Sequence, residues 1–178
     1  EMTGISPPPI FSNPAGFYSD NFLLELSSET TEGLTYYTRD GSIPTPDDNQ
    51  YTVPFSVFIE EDSVEVIKAR TFNDGLFPSG IVTNTYLLNP TFNLPVVSLS
   101  TDPENFFDDE IGIYVSGHEA QENFPYWGAN FWSDCPHSDR RGYNCETWER
   151  LIHFEFFEPD GYRGFGMDAG ARIHGHWM

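Results

Sequence analysis

The sequence predicts an all-β protein, an immunoglobulin-like β-sandwich followed by a second β-rich region. Three observations carry that reading. Helical periodicity is almost absent, short apolar runs recur at intervals of about ten residues, and Gly, Pro, Asn and Asp separate those runs. The chain has 178 residues and is 38% apolar, enough for one large core or two small ones.

The elements follow in order. "SPPPIFSNPAGFYS" is too rich in proline for a central strand. "NFLLELSS" reads as a strand with Phe22, Leu24 and Leu26 on one face. "LTYYT" is the next. "DGSIPTPDDNQ" then breaks the chain, because Asp40-Gly41 is a turn pair and Pro44 and Pro46 cannot donate to a ladder. "PFSVFI" and "VEVIKART" are strands split by the acidic turn "EEDS". The second loses strict alternation at Val66-Ile67, the mark of a strand buried on both faces or bulged. "GIVTNTYLL" closes this unit. Its short strands, about seven in all, fit an immunoglobulin-like sandwich.

"NPTFN" at residues 89–93 punctuates the sequence, which places one module at residues 1–90 and another at residues 91–178. "LPVVSLS" opens the second. In "TDPENFFDDEIG", Asp102 can cap a helical turn and Pro103 suits its first position. "GIYV" is expected to be extended. Residues 117–147 hold no clear element and read as a functional loop or packed insertion. "LIHFEFF" is a strand with Ile152, Phe154 and Phe156 expected inward and His153 and Glu155 outward. After the turn "EPDG", "YRGFGM" and "GARIHG" are expected to pair next. The chain stops soon after, which reads as a cut before the sheet is covered. It begins at Glu1, the expectation being a processed or excised chain without its export signal.

There are 28 acidic residues against 8 Lys and Arg, a net charge of −20. Residues 1–90 carry 13 acids and 3 bases and residues 91–178 carry 15 and 5, so each part contributes −10. Such a surface repels nucleic-acid phosphates and anionic membranes. No apolar run reaches the roughly 18 residues of a membrane helix. The balance suits high salt, solubility or calcium binding. Cys135 and Cys145 are the only cysteines; their even count and short spacing favour a disulfide, hence an oxidising compartment. Closing that loop contributes about 2–3 kcal/mol in the chain-entropy description. A metal site using His137 between them is the alternative, though two Cys and one His fall short of a closed zinc site.

Two clusters are candidates for binding. Tyr126, Trp127 and Trp132 lie in the aromatic run "NFPYWGANFW", where flat rings beside Asn and acids suit a glycan; the same run also suits a lid on the second core. Asp102, Asp108, Asp109 and Glu110 offer carboxylates to Ca, without an EF-hand pattern, and a capped helical turn is the preferred explanation of them. Ser-His-Asp and Cys-His nucleophile patterns are missing, and no catalytic residue is assigned. Phosphoryl transfer needs cations around phosphate, yet the single lysine, Lys68, lies in the first module. Gly164, Gly166 and Gly170 are spaced one residue off a kinase glycine loop.

Two resemblances cover most of the chain. Residues 7–88 resemble the chitobiase/β-hexosaminidase C-terminal-type module, through "PPPIFSNPAGFYSDNFLLELSS", "YYTRDGSIPTPDDNQYTVPFSV" and "VIKARTFNDGLFPSGIVTNTY". That family implies an immunoglobulin-like, non-catalytic accessory domain of secreted bacterial proteins. Residues 94–178 resemble the N-terminal part of the CotH kinase family, through "LPVVSLSTDPENFFDDEIGIYVSG" and "WERLIHFEFFEPDGYRGFGMDAGARIHG". That resemblance implies an atypical kinase-like fold, with ATP and Mg as cofactors of an intact parent and Arg172 and His174 lining its nucleotide pocket. The family's basic segment and later acidic motifs have no counterpart in this sequence.

The expectation is a non-catalytic binding or structural module of an exported, bacterial CotH-type cell-surface protein. Its partners would be glycan, a neighbouring surface protein or another copy paired through uncovered strands. The alternatives are an N-terminal fragment of a secreted kinase and an accessory carbohydrate-binding domain of a carbohydrate-active enzyme.

Overall fold

A computed structural model describes residues 2–30, 32–58, 63–88, 90, 93–117 and 149–173. The chain is all-β, with one short helical turn among the described residues. The strands are β1 (Ile10–Phe11), β2 (Gly16–Tyr18), β3 (Phe22–Leu24), β4 (Leu26–Ser27), β5 (Leu34–Thr38) and β6 (Asn49–Gln50). There follow β7 (Phe55–Val57), β8 (Ser63–Phe72), β9 (Val82–Leu88), β10 (Val96–Ser100), the turn α1 (Glu104–Phe107), β11 (Arg150–Phe157) and β12 (Arg163–Ala171). Two compact units emerge, residues 1–100 with 154–167, and residues 101–153 with 168–178.

The first unit is built on a five-stranded sheet, β2-β9-β8-β5-β6. β2 runs parallel to β9 at its edge, where the proline-rich opening segment can sit without supplying a central ladder. The stretch "NFLLELSS" breaks at Glu25 into β3, which pairs with β7, and β4, which pairs with β1. Its apolar period of two survives the break. Leu24 and Leu26 are buried against Val57, Ile67, Ala69, Tyr86 and Leu88, with Phe22, Tyr37 and Phe55 packed around them. Each side chain buried in full there contributes about 1.5–3 kcal/mol.

The consecutive buried residues Ile67, Lys68 and Ala69 show that β8 is covered on both faces. Lys68 is buried because it is a tie: its Nζ donates to the Gly41 carbonyl at 2.6 Å. The turn it holds is ordered by its own polar groups. Asp40 Oδ1 accepts from the Ser42 amide at 3.0 Å and hydroxyl at 2.6 Å, and these bonds hold the Asp40 carboxyl below its ordinary pKa. Asp48 Oδ2 accepts from the Thr45 amide at 2.7 Å.

β9 is also buried on both faces. Tyr86 and Leu88 enter the core just described, while Leu87 joins Ala15 and Phe157 in a second cluster with Phe17 and Val96. Residues 96–100 and 154–167 therefore complete this unit. Thr85 and Ser98 hydroxyls meet at 2.8 Å, and the Phe17 and Phe157 rings lie 6.2 Å apart.

β10, β11 and β12 form a three-stranded sheet. Here the structure corrects two expectations. In β11 the face expected outward carries Glu155, which is 1% exposed, and it continues into Phe157, which is fully buried. Phe154 and Phe156 point the other way and stack on Phe165. Glu155 tolerates burial because Arg163 compensates it. The other correction concerns β12, a single strand through the residues expected to form two, since Asp168 and Gly170 are separated by Ala169 and make no turn pair. Arg163 bonds Glu155 while Phe165 stacks on the opposite face, so alternation slips by one residue at Gly164, the signature of a bulge.

The β11–β12 hairpin turns through Glu158–Tyr162. Glu158 and Tyr162 pair at 2.9 Å, Gly161 donates back to the Glu158 carbonyl, and Gly161 has φ +86°. A Cβ at Gly161 would lie 2.7 Å from the Phe17 Cβ. Gly161→Ala therefore costs about 1–3 kcal/mol, from the left-handed backbone and the contact together, as a shift in urea midpoint at constant m-value.

In the second unit α1 is the expected helical turn, and Asp102 Oδ1 accepts the Glu104 amide at 3.1 Å. "GIYV" is not extended. It folds back on the turn, with Ile113 donating to the Asn105 carbonyl and Tyr114 to that of Phe106, which buries Ile113.

Candidate functional site

Within the first unit a cleft of about 390 Å³ is lined by Pro14, Ala15, Gly16, Phe17, Tyr18, Gly161, Tyr162 and Arg163. The edge strand β2 and the hairpin turn between β11 and β12 supply its walls. The glycine-to-Phe17 approach sets their separation. Tyr162, 69% exposed, has its backbone fixed by the hairpin and by an Asp160 side-chain acceptor at 3.0 Å. The Tyr18 hydroxyl donates to the Pro14 carbonyl at 2.7 Å and retains lone pairs.

Arg163, one of the lining residues, also belongs to a part-buried polar network. Arg163 Nη1 donates to Glu155 Oε1 at 2.9 Å and to Asn84 Oδ1 at 3.3 Å. Asn84 Nδ2 donates to the Tyr86 hydroxyl and to the Asn13 carbonyl, each at 3.3 Å, and Tyr86 itself donates to Asn13 at 2.9 Å. Glu155 Oε2 has no hydrogen-bond partner among the described residues. The Arg163 side chain is 37% exposed, so one edge of the guanidinium is committed inward and the rest reaches solvent.

Burial pushes the Tyr86 hydroxyl well above its ordinary pKa; the Asn84 hydrogen bond opposes this, and the charges of Glu155 and Glu65 add to it. Burial raises Tyr18 as well. The raised native value stabilises the fold while pH stays below about 10, the unfolded tyrosine value, and that stability is lost as pH rises above it. Between pH 10 and 12 unfolding should release one additional proton attributable to Tyr86. Urea titrations in that range should show a pH slope in the wild type that shrinks in Tyr86→Phe.

The residues singled out in the sequence fall elsewhere. Asp102 and Asp108 are engaged with backbone amides; Asp108 Oδ1 accepts from Glu110 at 2.8 Å and Ile111 at 2.9 Å, which holds its carboxyl below the ordinary value. Asp109 and Glu110 sit in the same exposed turn. Among the described residues no group of three or more His, Cys, Asp or Glu side chains is placed to hold a metal ion. Arg172 is exposed just past β12. His174, Tyr126, Trp127, Trp132, Cys135 and Cys145 lie outside the described residues. The sequence reading missed Glu155 and Arg163, although an acid and an arginine flanking a "PDG" turn is a readable signal for a cross-strand pair. In the second unit His153 Nδ1 lies 2.7 Å from Asp168 Oδ1, and His153 Nε2 is buried without a partner among the described residues.

The stretch from Asn13 to Asn84 runs through β2, the Asp40-Gly41 turn tied by Lys68, and the first residues of β9. Residues 13–84 match the chitobiase/β-hexosaminidase C-terminal domain family. The match spans β2 to the middle of β9 and includes one wall of the cleft, Pro14–Tyr18. It ends at residue 84, so the CotH-type reading of residues 94–178 rests on sequence resemblance alone. No curated protein and no solved structure matches the chain. Among the described residues no helix is long and apolar enough to cross a membrane.

Proposed function

We propose that this chain is a non-catalytic binding module of an exported bacterial surface protein and that it attaches its parent to glycan. The supporting observation is the match of residues 13–84 to a domain that lies at the C-terminus of enzymes named for chitobiose and hexosaminide cleavage. A C-terminal domain in such enzymes suits attachment to their polymer. The open, aromatic-lined cleft suits the same task. We read the module's strands as immunoglobulin-like, residues 94–178 as the opening of a CotH-type region, and Cys135–Cys145 as a disulfide formed outside the cytoplasm. A glycan array probed with the purified chain tests the proposal. Retention on hexosamine-containing or other neutral oligosaccharides is the expected result, and no retention on any glycan would overturn it.

A further inference from the structure

We infer that the cleft between Pro14–Tyr18 and Gly161–Arg163 is a subsite for one uncharged pyranose ring, with Tyr162 as its platform and Arg163 as its hydroxyl donor. The inference rests on the glycan-attachment reading and assigns it a place and a charge preference. The cleft volume of about 390 Å³ lies near the lower end of small-molecule sites, which run roughly 300–1,000 Å³. Tyr162 is a large, exposed ring on a backbone already fixed by the hairpin, so little ordering is needed when a sugar stacks on it.

Arg163 is held rather than free. Its Nη1 is fixed by Glu155 and Asn84, while Nε and Nη2 make no hydrogen bond among the described residues and are available as donors. The Tyr18 oxygen, having donated its proton to Pro14, can accept. Donors and an acceptor in one cleft match a hydroxyl, which is both.

Charge decides the class of sugar. Glu155, 1% exposed, already neutralises Arg163, and the chain as a whole carries −20. An anionic sugar would meet no net positive charge here and would be repelled on approach. An uncharged ring loses nothing.

Calorimetric titration of the full chain with neutral chito-oligosaccharides and with oligogalacturonate tests this. Wild type should bind the neutral series at least tenfold more tightly than the acidic one. Tyr162→Ala, a surface change, should lose at least tenfold in affinity at unchanged melting temperature. Arg163→Lys keeps a cation for Glu155 but not the planar fork, and should weaken binding as well. Wild-type binding with Tyr162→Ala unaffected would overturn the subsite while leaving glycan attachment standing, the more so if Trp127→Ala abolished it. Tighter binding of the acidic series would overturn the charge assignment. No binding of any sugar by wild type would overturn both readings.

Discussion

Replacing Phe157 by alanine lowers the unfolding free energy of the sandwich unit by about 3–5 kcal/mol. Phe157 is fully buried among Ala15, Leu87 and Phe17, in the cluster where β11 closes over the outer face of β9. β9 is buried on both faces, so the packed surroundings leave the cavity little room to collapse. Urea unfolding followed by tryptophan-independent far-ultraviolet dichroism measures the loss. A cost below about 1 kcal/mol would mean that residues 154–157 are not part of this core. Phe156→Ala, on the opposite face, should cost clearly less, because that face is only partly covered.

Arg163→Met comes next, at about 2–4 kcal/mol. Removing the guanidinium leaves Glu155 buried with neither oxygen bonded among the described residues, since Oε2 has no partner there even in the intact pair. The cost falls below the 3–5 kcal/mol of a fully buried pair because one edge of Arg163 is wet. The double variant Arg163→Met with Glu155→Leu should recover most of the loss, since two apolar side chains can replace a buried pair at little net cost. Additive losses in the two single variants would show that the groups do not depend on each other.

The fold was legible where a side-chain period of two met a single buried face. Leu24 and Leu26 could be placed inward from sequence, and the failure of alternation around Ile67 left two readings, of which the structure shows the strand covered on both sides. β11 misled for a physical reason. Its aromatic residues lie on both faces, so the pattern could not say which face was inward. The deciding fact is a carboxylate, Glu155, whose burial depends on an arginine across the hairpin. The bulge at Gly164 then shifts every later residue of β12 to the other face, an effect that no local propensity announces. The cleft was invisible because its walls come from opposite ends of the chain. Its most distinctive lining, an exposed tyrosine beside an arginine, looks like an ordinary turn until Gly161 is seen against Phe17.

The proposed attachment role is tested most directly by following backbone amide resonances of the full chain as a neutral chito-oligosaccharide is added. The account predicts saturable shifts concentrated in residues 15–18 and 161–163, with the Arg163 side-chain N–H signals among them. Shifts that fail to saturate, or that saturate with those residues unmoved, would contradict it.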